Sequence, residues 1–494
     1  MKQAMPNWLK KRAFLTPNRP AVSFEGRTIT FAELYQSVFN MAGKLAASGL
    51  KRKQFAGVLL RNHPDSAVML LALQLLGVRA VILNNRLSAE ELIWQLEDSQ
   101  AAFLISEELF AEKRERIGRM LPELPQLTKE RLSEVNFVEP DECTEIDMDE
   151  ICTIMYTSGT TGHPKGVIQT YGNHWWSATG SVLNLGLHEN DCWLCTVPLF
   201  HISGYSILMK SIIYGMKMVL HEKFDPGKTV QDIESEHVTI MSVVSTTLTR
   251  ILEHLQGDKL PDYFRCMLLG GGPASLPLLE ECVAKDIPVY QTYGMTETSS
   301  QIVTLAPEDS IRKLGSAGKT LFPSQLKVIA EGNREAAVHE AGEIVVKGPN
   351  VTTGYLNREE TSKQDIRDGW LHTGDIGYVD EEGFLFVLDR RSDLIISGGE
   401  NIYPAEIEGV LTSHPSIMDA GIIGRKDEKW GEVPAAFIVQ KSPVTESELL
   451  EYCSQRLAKY KIPKYFYFID EIPRNASKKI LRRELRTWFS SKNK

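Results

Sequence analysis

The segment Tyr156-Thr-Ser-Gly-Thr-Thr-Gly-His-Pro-Lys-Gly-Val167 concentrates the residue types that grip a polyphosphate. Thr157, Ser158, Thr160 and Thr161 offer hydroxyl donors, Gly159 and Gly162 let backbone N–H groups turn towards an anion, and Lys165 adds a positive charge. It is not a Walker A loop, because Lys165 sits between Pro164 and Gly166 instead of preceding a Ser or Thr. The apolar run Ile151 to Tyr156 leads in and Val167-Ile168 leads out, which implies a loop between buried strands and not a polar linker.

Other segments carry chemistry that is open when each is read alone. Gly270, Gly271 and Gly272 make a backbone surface without side chains, suited to a flat ring lying against it. In Gln291-Thr-Tyr-Gly-Met-Thr-Glu297, Tyr293 offers a stacking face, Gly294 a close approach and Thr296 a hydroxyl. Glu297 is either an exposed loop acid or a magnesium ligand, since a carboxylate opposite a phosphate needs a hard cation between them. Asp375, on the glycine turn of Leu371-His-Thr-Gly-Asp-Ile-Gly377, is a turn aspartate or an acceptor for ribose hydroxyls. Arg390 suits the same ribose or a phosphate, and Lys479 is a solvated basic residue or a catalytic cation.

The elements that must position these residues follow from the pattern. The first 150 residues alternate helical and strand periodicities, as stacked βαβ units do. Residues 265–269 and 287–290 read as strands, each running into a glycine-bearing loop, with a helix between them. That predicts a parallel sheet with ligand loops at its carboxyl edge. From about Gly315 to Asp389 short strands and tight turns predict a small antiparallel, barrel-like unit. The charged interruption at 390–392 marks a boundary before a small α+β unit. The predicted fold class is therefore α/β, with stacked sheets and the barrel-like unit in a domain 1–389, a link 390–392 and a C-terminal domain 393–494.

Composition narrows the function. Of 494 residues 43% are hydrophobic and 24% charged, with no low-complexity tract, as expected of a globular enzyme with more than one core. The net charge of −9 argues against nucleic acid as the main partner. The most apolar stretch, Ala67 to Leu83, is broken by Gln74, Gly77 and Arg79 and reads as a buried helix followed by a strand, not a membrane span. The N-terminus lacks the apolar core of a signal peptide, and the expected location is the cytoplasm. Cys192-Trp-Leu-Cys195 has no second pair to complete a zinc site and lies in an apolar run, so buried free thiols are expected.

The motifs occur in order: Tyr156 to Val167, Gln291 to Glu297, Thr373-Gly-Asp375, Arg390 with Gly398-Gly-Glu-Asn-Ile-Tyr-Pro404, and Pro473-Arg-Asn-Ala-Ser-Lys-Lys-Ile480. Together they resemble the adenylate-forming superfamily of acyl-CoA synthetases, luciferases and nonribosomal peptide adenylation domains, over nearly the whole chain. Pro198 to Gly204, Gln291 to Thr298 and Arg390 to Pro404 look most like the branch that joins 2-succinylbenzoate to CoA in menaquinone biosynthesis. The resemblance implies ATP, magnesium and CoA as co-reactants, a carboxylic acid substrate and a C-terminal domain that turns about Ser392. It implies that Thr157, Ser158, Gly159, Thr160, Thr161, Gly162 and Lys165 cradle phosphates. Gly270, Gly271, Gly272, Tyr293, Gly294, Met295 and Thr296 would face the nucleotide, with Asp375 and Arg390 on its ribose and Glu297 on magnesium. Lys479, His201 and Thr160 would serve the chemical step, and Gly398 with Gly399 would leave room for the pantetheine arm of CoA. Within the expected acyl pocket, residues 201–208, 242–246 and 292–301, Ser299 and Ser300 are donors for the second carboxylate, and no arginine stands out. One departure from the family is Lys478, which stands where a glycine usually precedes the catalytic lysine. The rival readings are a ligase for another acyl or aryl acid and a non-catalytic nucleotide sensor.

Overall fold

In the computed structural model the described residues are 4–157, 164–272, 274–390, 393–397, 400–427, 430–457, 459–474 and 480–492. Two large sheets carry the N-terminal part. In the first, Phe55–Leu59, Arg79–Ile82, Phe103–Ser106 and Gln126–Thr128 run parallel, and Arg79–Ile82 pairs parallel with Ile151–Thr157. Ile151–Thr157 then pairs antiparallel with Lys165–Thr170, closing the sheet with a hairpin. Helix Pro64–Leu75, expected to be buried, is apolar all round and covered from Ser66 to Leu75, and it ends before Gly77 at φ +64°.

In the second sheet Cys192–Cys195, Ile240–Val243, Cys266–Leu269 and Val289–Met295 lie side by side and parallel. Val289–Met295 then pairs antiparallel with Ser300–Leu305. The antiparallel strands expected beyond Gly315 are Gln325–Ala330, Gly342–Lys347, Trp370–Val379 and Leu385–Arg390. They join the second sheet through Ser316–Thr320, which pairs with both Ser300–Leu305 and Leu385–Arg390. A separate sheet holds the strands from Ile395–Ser397 to Tyr465–Phe468 and has its own apolar cores around Ile407, Ile422 and Phe437.

Helix Tyr171–Leu185 starts directly after the hairpin because Thr170 and Asn173 cap each other reciprocally. Asn173 Nδ2 also donates to the carbonyls of Pro349 and Val351 at 2.9 Å, which ties this helix start to the antiparallel region. All seven cysteines are free and buried. Cys192 and Cys195 lie three apart on one strand, so their side chains leave on opposite faces and enter different cores. Burial pushes both thiols up to about 12. No group of three or more potential metal-binding His, Cys, Asp or Glu occurs among the described residues. No helix among them is long and apolar enough to cross a membrane.

Candidate active site

The four parallel strands of the second sheet end at one edge, and each delivers a predicted segment there. Cys192–Cys195 leads to His201, Ile240–Val243 to Val244, Cys266–Leu269 to Gly270–Gly272, and Val289–Met295 to Thr296–Glu297. Gly270 and Gly271 are closely backed, by Thr292 Oγ1 at 3.3 Å and Val244 Cγ1 at 3.4 Å from where a Cβ would stand. A Cβ on Gly272 would meet nothing within 4 Å, so that end of the strip opens outward as a ring platform requires. Tyr293 donates its hydroxyl to Asp375 Oδ2 at 2.8 Å, joining the predicted stacking face to the predicted ribose acceptor. Asp375 is itself fixed by its N–H on Thr373 Oγ1 and by strand pairing opposite Arg390.

Gly294 is packed against the neighbouring strand. A Cβ there would lie 2.1 Å from the Ser300 carbonyl oxygen and 2.8 Å from Gln301 Cα. The missing side chain therefore permits the close approach of the neighbouring strand, across the irregularity at Tyr293/Gly294.

Thr157 and Lys165 face each other as the last residue pair of the phosphate hairpin. Lys165 Nζ lies 4.8 Å from the centroid of the Tyr355 ring, and Tyr355 Oη donates to Glu297 Oε1 at 3.3 Å. Thr296–Thr298 is a single helical turn. Its Glu297 carbonyl accepts from Thr352 N at 2.7 Å, and its Thr296 carbonyl accepts from Gln169 Nε2 at 2.9 Å. Thr298 Oγ1 accepts from Met295 N at 2.9 Å and closes the turn. The hydroxyl of Thr153 donates to Gln169 Oε1 at 2.8 Å, so it accepts from His174 Nε2–H at 3.0 Å. This buried relay spans both hairpin strands and the next helix and ends on the turn that carries Glu297. Burial holds the His174 imidazole neutral, lowering it to about 3.

The acyl side is built on helix Ile202–Tyr214, with His201 at its N-cap position. Asn62 pins the loop before it, donating to the Val197 carbonyl at 2.9 Å and accepting from Leu199 N at 2.8 Å. Gly204 must lack a side chain, because a Cβ would lie 2.2 Å from the Pro198 carbonyl oxygen. Ser206 Oγ donates to Ser300 Oγ at 3.3 Å. Ser299 (φ +53°) and Ser300 (φ +114°) are consecutive non-glycine residues in the left-handed half of backbone space, a strain that persists where surroundings enforce it. Ser299 Oγ and both ends of the Gln301 amide are buried with no partner among the described residues.

One turn below Ser206 on the same helix face is Lys210, 1% exposed and absent from the predicted site. Its ammonium lies 4.9 Å from the Trp193 ring centroid, and Trp193 Nε1 donates to Ser242 Oγ at 3.1 Å. Lys210 thus lies just beyond the segment 201–208 expected to line the acyl pocket, one helical turn from Ser206 and against the Trp193 ring that bonds Ser242. Burial lowers its pKa to about 7.

Ser158, Gly159, Thr160, Thr161, Gly162, Ser392, Gly398, Gly399, Lys478 and Lys479 lie outside the described residues. The backbones flanking the last two, at Arg474 and Ile480, form an antiparallel bridge.

A glycine platform and a polar acyl side at one edge of the second sheet, tied to a lysine-bearing hairpin of the first, define a nucleotide-binding α/β enzyme. The chain belongs to the AMP-binding enzyme family, whose model matches residues 9–356, with the AMP-binding enzyme C-terminal domain matching 406–479. The 2-succinylbenzoate–CoA ligase of Geobacillus kaustophilus is 57% identical over 484 residues, 98% of this chain and 97% of that protein. The o-succinylbenzoate CoA synthetase of Bacillus subtilis in complex with the acyl-adenylate intermediate OSB-AMP superposes with a TM-score of 0.93 at 50% identity, covering 98% of each chain. The same enzyme in complex with ATP and magnesium ion gives 0.93 at 50% identity, over 98% of this chain and all of that one.

Proposed function

We propose that the protein ligates 2-succinylbenzoate to CoA with ATP, through an acyl-adenylate, giving 2-succinylbenzoyl-CoA, AMP and pyrophosphate. The step belongs to menaquinone biosynthesis and is placed in the cytoplasm, where ATP and CoA are supplied. The observation that carries the choice of acid is Lys210. A dicarboxylate must have one carboxylate held but not activated, and a buried lysine one helical turn from the Ser206–Ser300 pair supplies the countercharge.

In the first half-reaction the other carboxylate attacks the α-phosphorus of ATP and pyrophosphate leaves. The nucleophile is weak and the centre anionic, so neutralising charge is the main catalytic task. Lys165 and the hairpin hydroxyls receive the departing phosphates, and Lys479 from the C-terminal domain bridges the reacting carboxylate and α-phosphate. Asp375 and Arg390 hold the ribose, and the platform Gly270–Gly272 with Tyr293 holds the base. The Glu297 carboxylate, a hard oxygen donor on a braced turn beside the hairpin, fits a magnesium ion. When bound, that ion supplies positive charge to the triphosphate. In the second half-reaction domain 393–494 turns about Ser392, Lys479 withdraws, and Gly398-Gly399 admits the pantetheine thiol to the adenylate carbonyl near His201.

The test is pyrophosphate release with ATP and magnesium over a panel of acids, with and without CoA. Preference for 2-succinylbenzoate with a CoA-dependent thioester product is the expected result. Turnover only with fatty or cinnamic acids would reassign the acid, and no adenylation of any acid would leave a nucleotide-binding protein.

A further inference from the structure

Lys165 has a second partner besides the tyrosine ring. Its Nζ lies 3.0 Å from Asp365 Oδ2, in a pair whose side chains are 21% and 29% exposed. Asp365 ends the short helix Glu359–Asp365. Tyr355 stands at the middle of this group: its hydroxyl bonds Glu297, and burial together with Glu297 and Asp365 raises its pKa. The backbone beneath is fixed, with Tyr355 bridged to Val167, Leu356 N bonded to the Gly166 carbonyl, and Tyr355 N to Ser362 Oγ. The lysine side chain is the adjustable part of an otherwise braced assembly.

We propose that Asp365 is an affinity-setting residue of the nucleotide site, holding Lys165 until phosphate oxygens take its place. The inference rests on the reading that Lys165 meets the β- and γ-phosphates. An anion that competes for the phosphate lysine weakens ATP and, equally, helps pyrophosphate leave. AMP has no β- or γ-phosphate and does not engage the exchange. A partly exposed pair of this kind is worth up to about 1 kcal/mol, so releasing it changes affinity by roughly fivefold.

The experiment uses the full chain with Asp365→Asn, Asp365→Ser, Lys165→Met and the double variant Lys165→Met/Asp365→Asn. Binding of magnesium-ATP, pyrophosphate and AMP is measured by calorimetry, with thermal melts to check folding. Both Asp365 variants should bind ATP and pyrophosphate about three- to fivefold more tightly and AMP unchanged. In the Lys165→Met background, Asp365→Asn should add nothing. A fold defect would weaken all three ligands, so the direction separates the proposal from a structural role. If Lys165→Met weakens ATP while Asp365→Asn leaves it unchanged or weaker, the proposal fails and the phosphate reading stands. If Lys165→Met leaves ATP binding unchanged, the phosphate reading fails and takes the proposal with it.

Discussion

Replacing Lys210 with Met should stabilise the protein and damage its use of a dicarboxylate. The folded pKa is about 7 and the unfolded reference 10.5, so the folded state binds fewer protons between those values. A lowered lysine pKa is a cost to folding that is absent above the unfolded value and complete below the folded one. Integrated over that window, the cost is about 4 kcal/mol at pH 7 and about 2 kcal/mol at pH 9. Lys210→Met keeps most of the volume and removes the cost. The variant should therefore be more stable than the parent at pH 7, with the advantage roughly halved at pH 9; urea midpoints at the two pH values measure this. The same lysine should recover its proton when it meets a carboxylate. At pH 8 the free side chain is about nine-tenths neutral, so binding of 2-succinylbenzoate should take up close to one proton, and in Lys210→Met none. Calorimetry in buffers of different ionisation enthalpy counts it. A Lys210→Met variant that is less stable at pH 7, or whose KM for 2-succinylbenzoate is unchanged, refutes the reasoning.

His174, also held neutral by burial, should cost stability on the acid side, because the unfolded imidazole gains a proton below 6.5 while the folded one waits until about 3. Between pH 7 and 5 the parent should lose about 2 kcal/mol more than His174→Phe, and parallel acid titrations of the two would contradict this. Gly294→Ala forces a Cβ to 2.1 Å from the Ser300 carbonyl and should cost about 3 kcal/mol or more; an unchanged urea midpoint would remove the crossing-strand explanation. Glu297→Gln should raise the magnesium concentration for half-maximal pyrophosphate release about tenfold or more, with the melting temperature of the nucleotide-free protein unchanged. An unaltered magnesium requirement would take the ion away from Glu297.

Local features were the legible ones. A loop between buried strands at Tyr156 to Val167, a glycine strip after one strand and the Tyr-Gly-Met-Thr-Glu segment that ends the next can each be read within a dozen residues. The meeting of the last two follows from the rule that parallel strands share a carboxyl edge, whereas the hairpin belongs to the other sheet and is tied to Thr296 through Gln169. What stayed hidden depends on distant partners. Asn62 reaches the Val197 carbonyl across 135 residues, and Gln169 reaches Thr296 across 127. Lys210 had a signal: it is the one charged residue in the helix ISGYSILMKSIIY, four positions after Ser206. The signal is weak because a lysine's apolar stem blends into an apolar helix. The strand packed against Gly294 was hidden too, since only pairing reveals which backbone crosses it.

The buried cysteines have a consequence for an enzyme of this chemistry. An acyl-adenylate is an electrophile that waits in the cleft for a sulfur nucleophile. Every thiol of the chain is buried, and Cys152, Cys192, Cys195, Cys266 and Cys282 are pushed up to about 12. Thiolate, not thiol, attacks acyl groups, so the protein presents the intermediate with almost no competing sulfur of its own. The activated acid is thereby kept for the thiol of CoA instead of being lost to self-acylation.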